Sequence, residues 1–379
     1  MKRTLLLLAL FAVPCLVTSC SDDEPSSITM ASPIDKFYMF MDLTHDNEGD
    51  RINAVRAGYH GNTNTLAGLQ EKKLISSFCF GAAVAGRTEL VHKSINKGAT
   101  TNDALAGATL GNHMSLVQEM LSKGANPNVG IGGAALGGHK ELVQLMLERG
   151  ADPSMGILGA AIGGQTDLVE LLLDKGAKTN DAIIGAALAG HKGIIEMLIS
   201  KGADIDYGLY GAAKRGDAQL VEFFLDKGAA PKAGLAGAAE GGHMNLVQLM
   251  LNKGAKPIAG LTEAAQGGHV DIVKLLLDKG AEPIYGDIIE PVAAAGNIEI
   301  LQMLLDKGAD PNAGLYKAIR GGHTKAVELM LQKGANSIDA FSYAAYENRM
   351  DVFKQIRKHS TKSLVEGCAI MRTYVHITA

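Results

Sequence analysis

The hydrophobic pattern of the chain repeats every 26 residues, and each period contains two apolar stripes. In the copy that spans residues 151–176, the later stripe consists of Leu168, Val169, Leu172 and Leu173. Their spacing of i, i+1, i+4 and i+5 places them on one side of a helix, so this half of the copy is predicted to be an amphipathic helix. Acidic residues near its start, a lysine in its last turn and a following glycine mark its two ends.

The earlier stripe of the same copy predicts a shorter helix. It covers Ile157–Gly163, about seven residues, and directs Ile157, Ala160 and Ala161 inward. An aspartate precedes this segment in four copies and is expected to cap the helix: Asp103, Asp181, Asp287 and Asp339. A helix of this length is unstable alone in water, so neighbouring copies must support it.

The period extends over most of the chain. A Gly-Ala pair preceded by Lys or Arg recurs with its glycine at 98, 124, 150, 176, 202, 228, 254, 280, 308 and 334. Eight of the nine spacings are 26 residues and one is 28. We count about twelve units, from a degenerate opener at Ile52–Lys72 to a last unit at Ala335–Ser360. Such regularity predicts stacked units, each of which contacts only its neighbours.

Glycine occupies the third position of the first helix in seven consecutive units: Gly81, Gly107, Gly133, Gly159, Gly185, Gly211 and Gly237. Each such glycine costs about 0.5–1 kcal/mol relative to alanine inside a helix. We therefore expect this glycine row to serve the close approach of neighbouring backbones. In the later units the position carries Glu263, Pro291, Lys317 and Tyr343, whose bulk is expected to open the spacing.

The consensus Gly-Ala-Ala-x-Gly-Gly-His, followed by Leu-Val-x-Leu-Met-Leu-x-Lys-Gly-Ala, resembles the helix–turn–helix of ankyrin repeats. Ala134-Ala135, Gly138-His139, Leu142-Val143 and Gly150-Ala151 fall on the ankyrin positions without gaps. An ankyrin unit has about 33 residues, and the residues missing here correspond to its β-hairpin finger. The resemblance implies an all-α, ankyrin-like repeat solenoid without fingers over residues 51–360. Residues 361–379 then form a further helix or a tail.

Six histidines occupy one repeat position: His113, His139, His191, His243, His269 and His323. A shared metal ion would require two imidazoles about 2 Å from the metal. Units that stack at helix-packing distance are roughly 8–10 Å apart, so a metal site is disfavoured. The ankyrin resemblance implies instead that each histidine hydrogen-bonds to the backbone of the neighbouring unit.

The sequence contains few other candidates for a metal-binding or catalytic site. Asp204-Ile-Asp206-Tyr-Gly208 looks like part of a calcium loop, but it lacks the closing glutamate and falls between two repeats. Motifs of hydrolases, phosphate loops and paired cysteines do not occur. Cys79 and Cys368 fall near opposite ends of the array, and we expect both to be small buried hydrophobes. We predict no enzyme activity, no cofactor and no metal.

The first 19 residues resemble a secretory signal peptide. Lys2 and Arg3 precede an apolar run and a pair of small residues, and Leu16-Val17-Thr18-Ser19-Cys20 resembles a lipobox. Cys20 is the predicted lipidation site, since Pro14 makes Cys15 a poor candidate. A short membrane anchor is the alternative, although the apolar run falls short of the roughly 20 residues that a span needs.

These features predict a mature chain that crosses the inner membrane and is held in the bacterial cell envelope by lipid on Cys20, with residues 20–50 as anchor and linker. The sequence does not decide whether the anchored chain faces the periplasm or the cell surface. Ser21-Asp22-Asp23-Glu24 resembles an acidic tag for the outer surface. The chain has a net charge of −4 and no basic run, which argues against a nucleic-acid partner. We expect a monomer.

Partner-binding residues are expected on the concave, short-helix side, at the positions that vary most between units. The nine candidates are Tyr210, Lys214, Glu240, Gln266, Tyr316, Lys317, Arg320, Tyr343 and Tyr346. Tyrosine and arginine are enriched at binding hot spots. The N-terminal units carry an apolar stripe at the same position (Val84, Leu110, Leu136, Ile162 and Leu188), which is a second groove or simply core.

The predicted function is a protein-binding scaffold of the cell envelope whose partner cannot be named from the sequence. The alternative is a structural spacer, in which the length of the array matters and no specific partner exists.

Overall fold

The structure, a computed structural model, describes residues 48–283 and 288–359. Over these two ranges it contains 24 helices and no strand, in agreement with the predicted helix–turn–helix repeat solenoid without fingers. We number the helices α1–α24, so that an odd number is the first helix of a repeat and an even number the second. Chain contacts divide the protein into two compact units, Met1–Gly211 and Ala212–Ala379. The boundary falls inside α13.

The helices of the first unit are α1 (Glu48–His60), α2 (Thr63–Gly68), α3 (Lys72–Val84), α4 (Thr88–Asn96), α5 (Thr101–Leu110), α6 (Met114–Ser122), α7 (Pro127–Gly137), α8 (Lys140–Glu148), α9 (Ser154–Ile162), α10 (Thr166–Asp174), α11 (Thr179–Ala189), α12 (Lys192–Ser200) and the start of α13 (Ile205–Arg215).

The second unit continues from the end of α13 with α14 (Ala218–Asp226), α15 (Pro231–Gly241), α16 (Met244–Asn252), α17 (Ile258–Gln266), α18 (Val270–Asp278), α19 (Ile289–Ala295), α20 (Ile298–Asp306), α21 (Leu315–Gly321), α22 (Thr324–Gln332), α23 (Ser337–Tyr346) and α24 (Met350–His359). In both units the pairs follow the predicted period.

The prediction that the first helix is the shorter one holds for α19 and α21, which have seven residues against nine in α20 and α22, but is wrong for the copy from which it was made. Helix α7 has 11 residues, whereas its partner α8 has nine. Helix α9 begins at Ser154, before the predicted Ile157, and also has nine residues. In α7 the polar, proline-containing start of the copy belongs to the helix, because Pro127 at the first turn needs no hydrogen bond from its nitrogen.

The proposed aspartate caps are also corrected. Thr100 is the N-cap of α5, since its hydroxyl accepts a hydrogen bond from the Asp103 N–H at 3.2 Å, while Asp103 Oδ2 accepts one from the Thr100 N–H at 2.7 Å. Asp103 is thus the third helical residue of a capping box. Asp181 and Asp339 likewise lie in the first turn of their helices. Asp287 lies outside the described residues.

The second helices end as predicted, on a left-handed glycine. At the end of α6, Gly124 has a φ of 86°, and its N–H donates to the Leu121 carbonyl at 3.0 Å. The N–H of Ala125 donates to the Met120 carbonyl at 3.0 Å, which completes a Schellman motif. The recurring Lys-Gly-Ala therefore reverses the chain between repeats.

The inward stripes form the core, with one exception. Ile157, Ala160, Leu168 and Leu172 are all buried. Leu173 is only half-buried, contrary to expectation. At about 100° per residue, Leu173 lies near the edge of the stripe that begins at Leu168, so its side chain reaches the rim of the core.

The glycine row allows neighbouring first helices to touch through their backbones. A Cβ atom at Gly185 would lie 2.9 Å from the Leu158 carbonyl oxygen, and one at Gly211 would lie 2.9 Å from that of Ile184. At Gly81, Gly107 and Gly159 a Cβ would collide with a carbonyl oxygen of the preceding repeat. The predicted close approach is confirmed at these positions, where a side chain has no room.

Asparagine side chains join the linkers of successive repeats, a feature that sequence analysis missed. Oδ1 of Asn102 accepts a hydrogen bond from the Asn126 N–H at 2.8 Å, and Oδ1 of Asn128 accepts one from the Asp152 N–H at 2.7 Å. The same bond recurs from Asp204 to Asn180 and from Asn336 to Asn312. This asparagine ladder connects repeats where fingers are absent.

Candidate functional site

The histidine row has the structural role that the resemblance implied. In each case the ring Nε2 lies 2.7–3.1 Å from a backbone carbonyl oxygen 29 residues earlier, at the end of the preceding first helix. Because a carbonyl only accepts, Nε2 carries the donated proton. The pairs are His113–Val84, His139–Leu110, His191–Ile162, His243–Lys214, His269–Glu240 and His323–Ala294.

Five of these six rings also cover the left-handed glycine that follows the preceding first helix; before His139 the corresponding residue is Asn112, with a φ of 61°. A Cβ at Gly242, whose φ is 77°, would lie 2.5 Å from Cε1 of His269. Arg87 serves the opener in the same way, since its Nε donates to the Tyr59 carbonyl at 2.8 Å. The Gly-Gly-His motif is therefore a clamp between repeats.

The other candidate ligands belong to the scaffold. Among the described residues, no group of histidine, cysteine and acidic side chains is arranged to hold a metal ion. Asp204 caps α13, because its Oδ1 accepts a hydrogen bond from the Asp206 N–H at 3.0 Å. Cys79 is a buried free thiol, as predicted, and burial followed by the nearby charge of Asp103 raises its pKa to about 12. Cys368 lies outside the described residues.

The residue that follows the Ala-Ala pair changes from buried to exposed along the array. Val84, Leu110, Leu136 and Ile162 are only 2–3% exposed and pack together, so these four residues of the apolar stripe are core rather than a second groove. Leu188, the fifth residue of the stripe, is half-buried. Close packing across the glycine row hides these side chains. The last four positions are exposed: Gln266, Ala294, Arg320 and Tyr346.

Two predicted partner-binding residues in the middle of the array engage each other. Nζ of Lys214 lies 2.9 Å from Oε1 of Glu240, and both side chains are largely covered. Glu263 occupies the next repeat at the glycine-row position, and burial, reinforced by the charge of Glu240, raises its pKa. Lys214, Glu240 and Glu263 therefore form a half-buried charged cluster. Tyr210 is half-buried on α13, and Gln266 is exposed at the end of α17.

The predicted residues of the last two repeats meet. The Tyr316 hydroxyl donates to Oε1 of Glu347 at 2.5 Å, and the Tyr316 and Tyr343 rings pack edge to face with centroids 5.3 Å apart. The bond to the Glu347 carboxylate raises the pKa of Tyr316, and nearby Arg320 acts in the opposite direction. Tyr346 also contributes to this shift, so three predicted residues, Tyr316, Arg320 and Tyr346, share one electrostatic environment.

The surface of this cluster is apolar and cationic. Tyr346 is 66% exposed, Ile338 is 39% exposed, and Arg320 is exposed at the end of α21. Ile338 and Tyr346 lie two i,i+4 steps apart on α23, along one ridge of the helix. Lys317 lies on the same helix as Arg320, and residues three apart are surface neighbours. We call this surface the C-terminal face: Tyr316, Lys317, Arg320, Ile338, Tyr343 and Tyr346.

Sequence analysis missed Ile338 and Glu347. The available signal for Ile338 was an isoleucine at a position that is polar in several other repeats, such as Asp206, Lys232 and Asn312, although α17 carries the exposed Ile258 there. No periodicity predicts Glu347, because its role depends on the tyrosine of the preceding repeat.

No helix in the described ranges is long and apolar enough to cross a membrane. The predicted signal peptide, Cys20 and the linker before residue 48 lie outside these ranges, as do residues 360–379.

The comparisons with known proteins identify the repeat. The family model for ankyrin repeats matches in three copies, over residues 131–208, 209–287 and 237–314. This part of the chain is similar to ankyrin repeats, which are generally protein–protein interaction modules and not typically enzymes. The crystal structure of the human ASB11 ankyrin repeat domain is similar, with 20% identity, 61% of this chain and 98% of that chain covered, and a TM-score of 0.29. None of the curated proteins compared with the chain matches it.

Proposed function

We propose that this protein binds a protein partner on its C-terminal face while it is tethered to the bacterial cell envelope. The observation that carries the proposal is that Tyr346 and the neighbouring Arg320 are both exposed. The core-facing side chains of the same two helices, such as Ile319 and Phe341, are buried. Tyrosine and arginine supply large contact areas and hydrogen-bond donors, and they dominate binding energy at protein interfaces. These two repeats continue the 26-residue period beyond the matched ankyrin repeats.

The tyrosine pair gives this surface a fixed shape. The Tyr316 ring is fixed by its bond to Glu347 and by its edge-to-face contact with Tyr343. An ordered aromatic surface loses little side-chain entropy when a partner binds, which favours affinity. Support for the tether comes from residues 1–20, in which positive, apolar and small residues precede Cys20 in the order of a lipoprotein signal.

The proposal is tested by affinity purification of the full chain from solubilised envelopes. We compare the wild type, Arg320→Ala/Tyr346→Ala and the control Arg357→Ala, which removes an exposed arginine from α24. A specific partner co-purifies with the wild type and the control but is lost from the double variant. Equal recovery of every protein by all three chains supports the spacer alternative.

A further inference from the structure

We infer that the last three repeats, α19–α24, open and unfold as one segment while α15–α18 stay folded. Each repeat of a solenoid is stabilised mainly by its neighbours, so an array separates most easily at its weakest junction. That junction lies between the repeat of α17 and α18 and the repeat of α19 and α20, and both repeats belong to the second compact unit. Because the C-terminal face lies on α21 and α23, a partner bound there would stabilise the folded segment by mass action.

Bulky side chains separate the first helices at this junction. On its N-terminal side, a Cβ at Gly260 of α17 would lie 3.0 Å from Cβ of Ala239 on α15. On its C-terminal side, a Cβ at Gly314 would lie 2.7 Å from Cβ of Ala293 on α19. The same repeat position before α19 is the buried Ile288, whereas every other copy between residues 104 and 340 has glycine or alanine. Helices α17 and α19 accordingly have little contact, although α15 and α17 lie side by side.

The histidine clamp is missing at the same junction. Asn297 stands at the clamp position, and its Oδ1 accepts a hydrogen bond from the Ile300 N–H of its own repeat at 3.2 Å. Within the described ranges Asn297 makes no bond to the preceding repeat. Gln165 and Asp217 replace the histidine at two other junctions, but those two repeats keep the row glycine, whereas α19 carries Pro291 there.

The asparagine ladder is interrupted at this junction as well. Its acceptor position carries Ile258, whose side chain cannot accept a hydrogen bond and is 43% exposed. On the other side of the array, a groove of about 680 Å³ lies between α18 and α20, with Leu277 and Met303 among its lining residues. The second helices therefore do not replace the contacts that the first helices lack. The one 28-residue spacing, from Gly280 to Gly308, spans this junction.

The three repeats beyond the junction are joined to one another. His323 of the α21–α22 repeat lies 2.7 Å from the Ala294 carbonyl oxygen at the end of α19. Tyr316 of the same repeat donates to Glu347 of the last repeat at 2.5 Å. Since these two junctions keep side-chain bonds that the junction before α19 lacks, the three repeats should open together and not one at a time.

The test is native-state hydrogen exchange of the full chain, followed by mass spectrometry over a series of low urea concentrations. We expect peptides of α19–α24 to share one rate and one urea dependence, and to exchange at least about tenfold faster than peptides of α15–α18. The step should fall between α18 and α19. A gradual slowing from α24 inward would show ordinary fraying of the chain end and would overturn the inference, as would equal exchange from α15 to α24.

Two buried core residues on either side of the junction provide matched variants: Leu235→Ala in α15 and Ile319→Ala in α21. Leu235→Ala should speed exchange in α15–α18 and leave α19–α24 unchanged, because the segment opens before Leu235 loses its contacts. Ile319→Ala should speed exchange throughout α19–α24 by one common factor. Faster exchange of α19–α24 in Leu235→Ala, or an effect of Ile319→Ala confined to α21 and α22, would contradict a single separate segment.

Discussion

The ring Nε2 of His243 donates a hydrogen bond to the backbone carbonyl of Lys214 at 3.1 Å and thereby joins two successive repeats. The ring also covers Gly216, whose φ is 84°. One side chain thus satisfies a carbonyl at the end of α13 and packs on the glycine that reverses the chain. The hydrogen bond to a carbonyl occurs at six positions, and the ring also packs on a left-handed glycine at five of them, so imidazole protonation is relevant to stability.

We predict that acid weakens the fold through His243. Burial lowers its pKa below the usual 6.5, and the charge of His269 lowers it further, while the bond to Lys214 opposes these effects. A histidine whose folded pKa is depressed contributes stability that is present above the unfolded pKa and is lost as the pH falls through the folded value. Urea unfolding at about pH 7.5 and about pH 5 should show a smaller pH dependence for His243→Gln, which keeps a donor that does not titrate. An unchanged dependence would contradict this role.

Glu263 should change the pH dependence of the free energy of unfolding in the opposite direction to His243. Its carboxyl is half-buried at the glycine-row position, and its pKa is raised by partial burial and then by the charge of Glu240, against a bond to its own backbone. A raised pKa means that the stability contribution is present below the unfolded value of 4.5 and is lost as the pH rises through the folded pKa. Glu263→Gln should therefore raise the free energy of unfolding near neutral pH, by an amount that shrinks toward about pH 4.

The control for Glu263→Gln is Glu282→Gln, at an exposed position between α18 and α19. Its free energy of unfolding should change little at either pH. A loss of stability in Glu263→Gln at neutral pH would show that the ionised carboxylate is favourably solvated or paired.

The asparagine ladder should contribute measurably to the stability of the first unit. Asn128→Ala removes the acceptor of the Asp152 N–H, and we expect a loss of about 1 kcal/mol, the usual net contribution of one such bond. Ser154 occupies the same position one repeat later and accepts no ladder bond, so Ser154→Ala is the matched control. Equal changes in the free energy of unfolding for the two variants would mean that the ladder hydrogen bond adds no stability.

The sequence predicted the scaffold well because its signals are local. The apolar stripes, the Lys-Gly-Ala reversal at Gly124 and the histidine clamp each depend on residues within one copy or at a constant offset between copies. The first helices were predicted too short, because the cap of α5 is formed by Thr100 while Asp103 sits inside the helix. Propensity does not distinguish the two positions, since both residue types favour helix starts.

The candidate site was predictable only in part, because exposure depends on packing between repeats. Val84 and Arg320 occupy the same repeat position, yet one is buried and the other exposed. The difference follows the glycine row, whose spatial effect a one-dimensional pattern does not contain. In the same way, the variable residues Lys214 and Glu240 were predicted to contact a partner, and the structure pairs them with each other.

The envelope tether stays a prediction with its own test. Cys20→Ala should leave the signal peptide uncut or release the protein into soluble fractions, because the proposed acyl anchor would be attached through this residue. Membrane fractionation and mass spectrometry of the N-terminus provide the measurement, with Cys15→Ala as the control that keeps the anchor. Wild-type fractionation of Cys20→Ala with an uncut signal in both chains would favour the membrane-anchor alternative.

The most direct measurement of the central claim is photo-crosslinking in intact cells. A photoreactive amino acid replaces Tyr346 on the C-terminal face or, as the control, Arg357 on the second helix of the same repeat. The account predicts one dominant protein adduct from position 346, reduced at least about tenfold when Arg320→Ala is added, and no such adduct from position 357. The same adducts from both positions, or no adduct from position 346, would contradict a partner-binding C-terminal face.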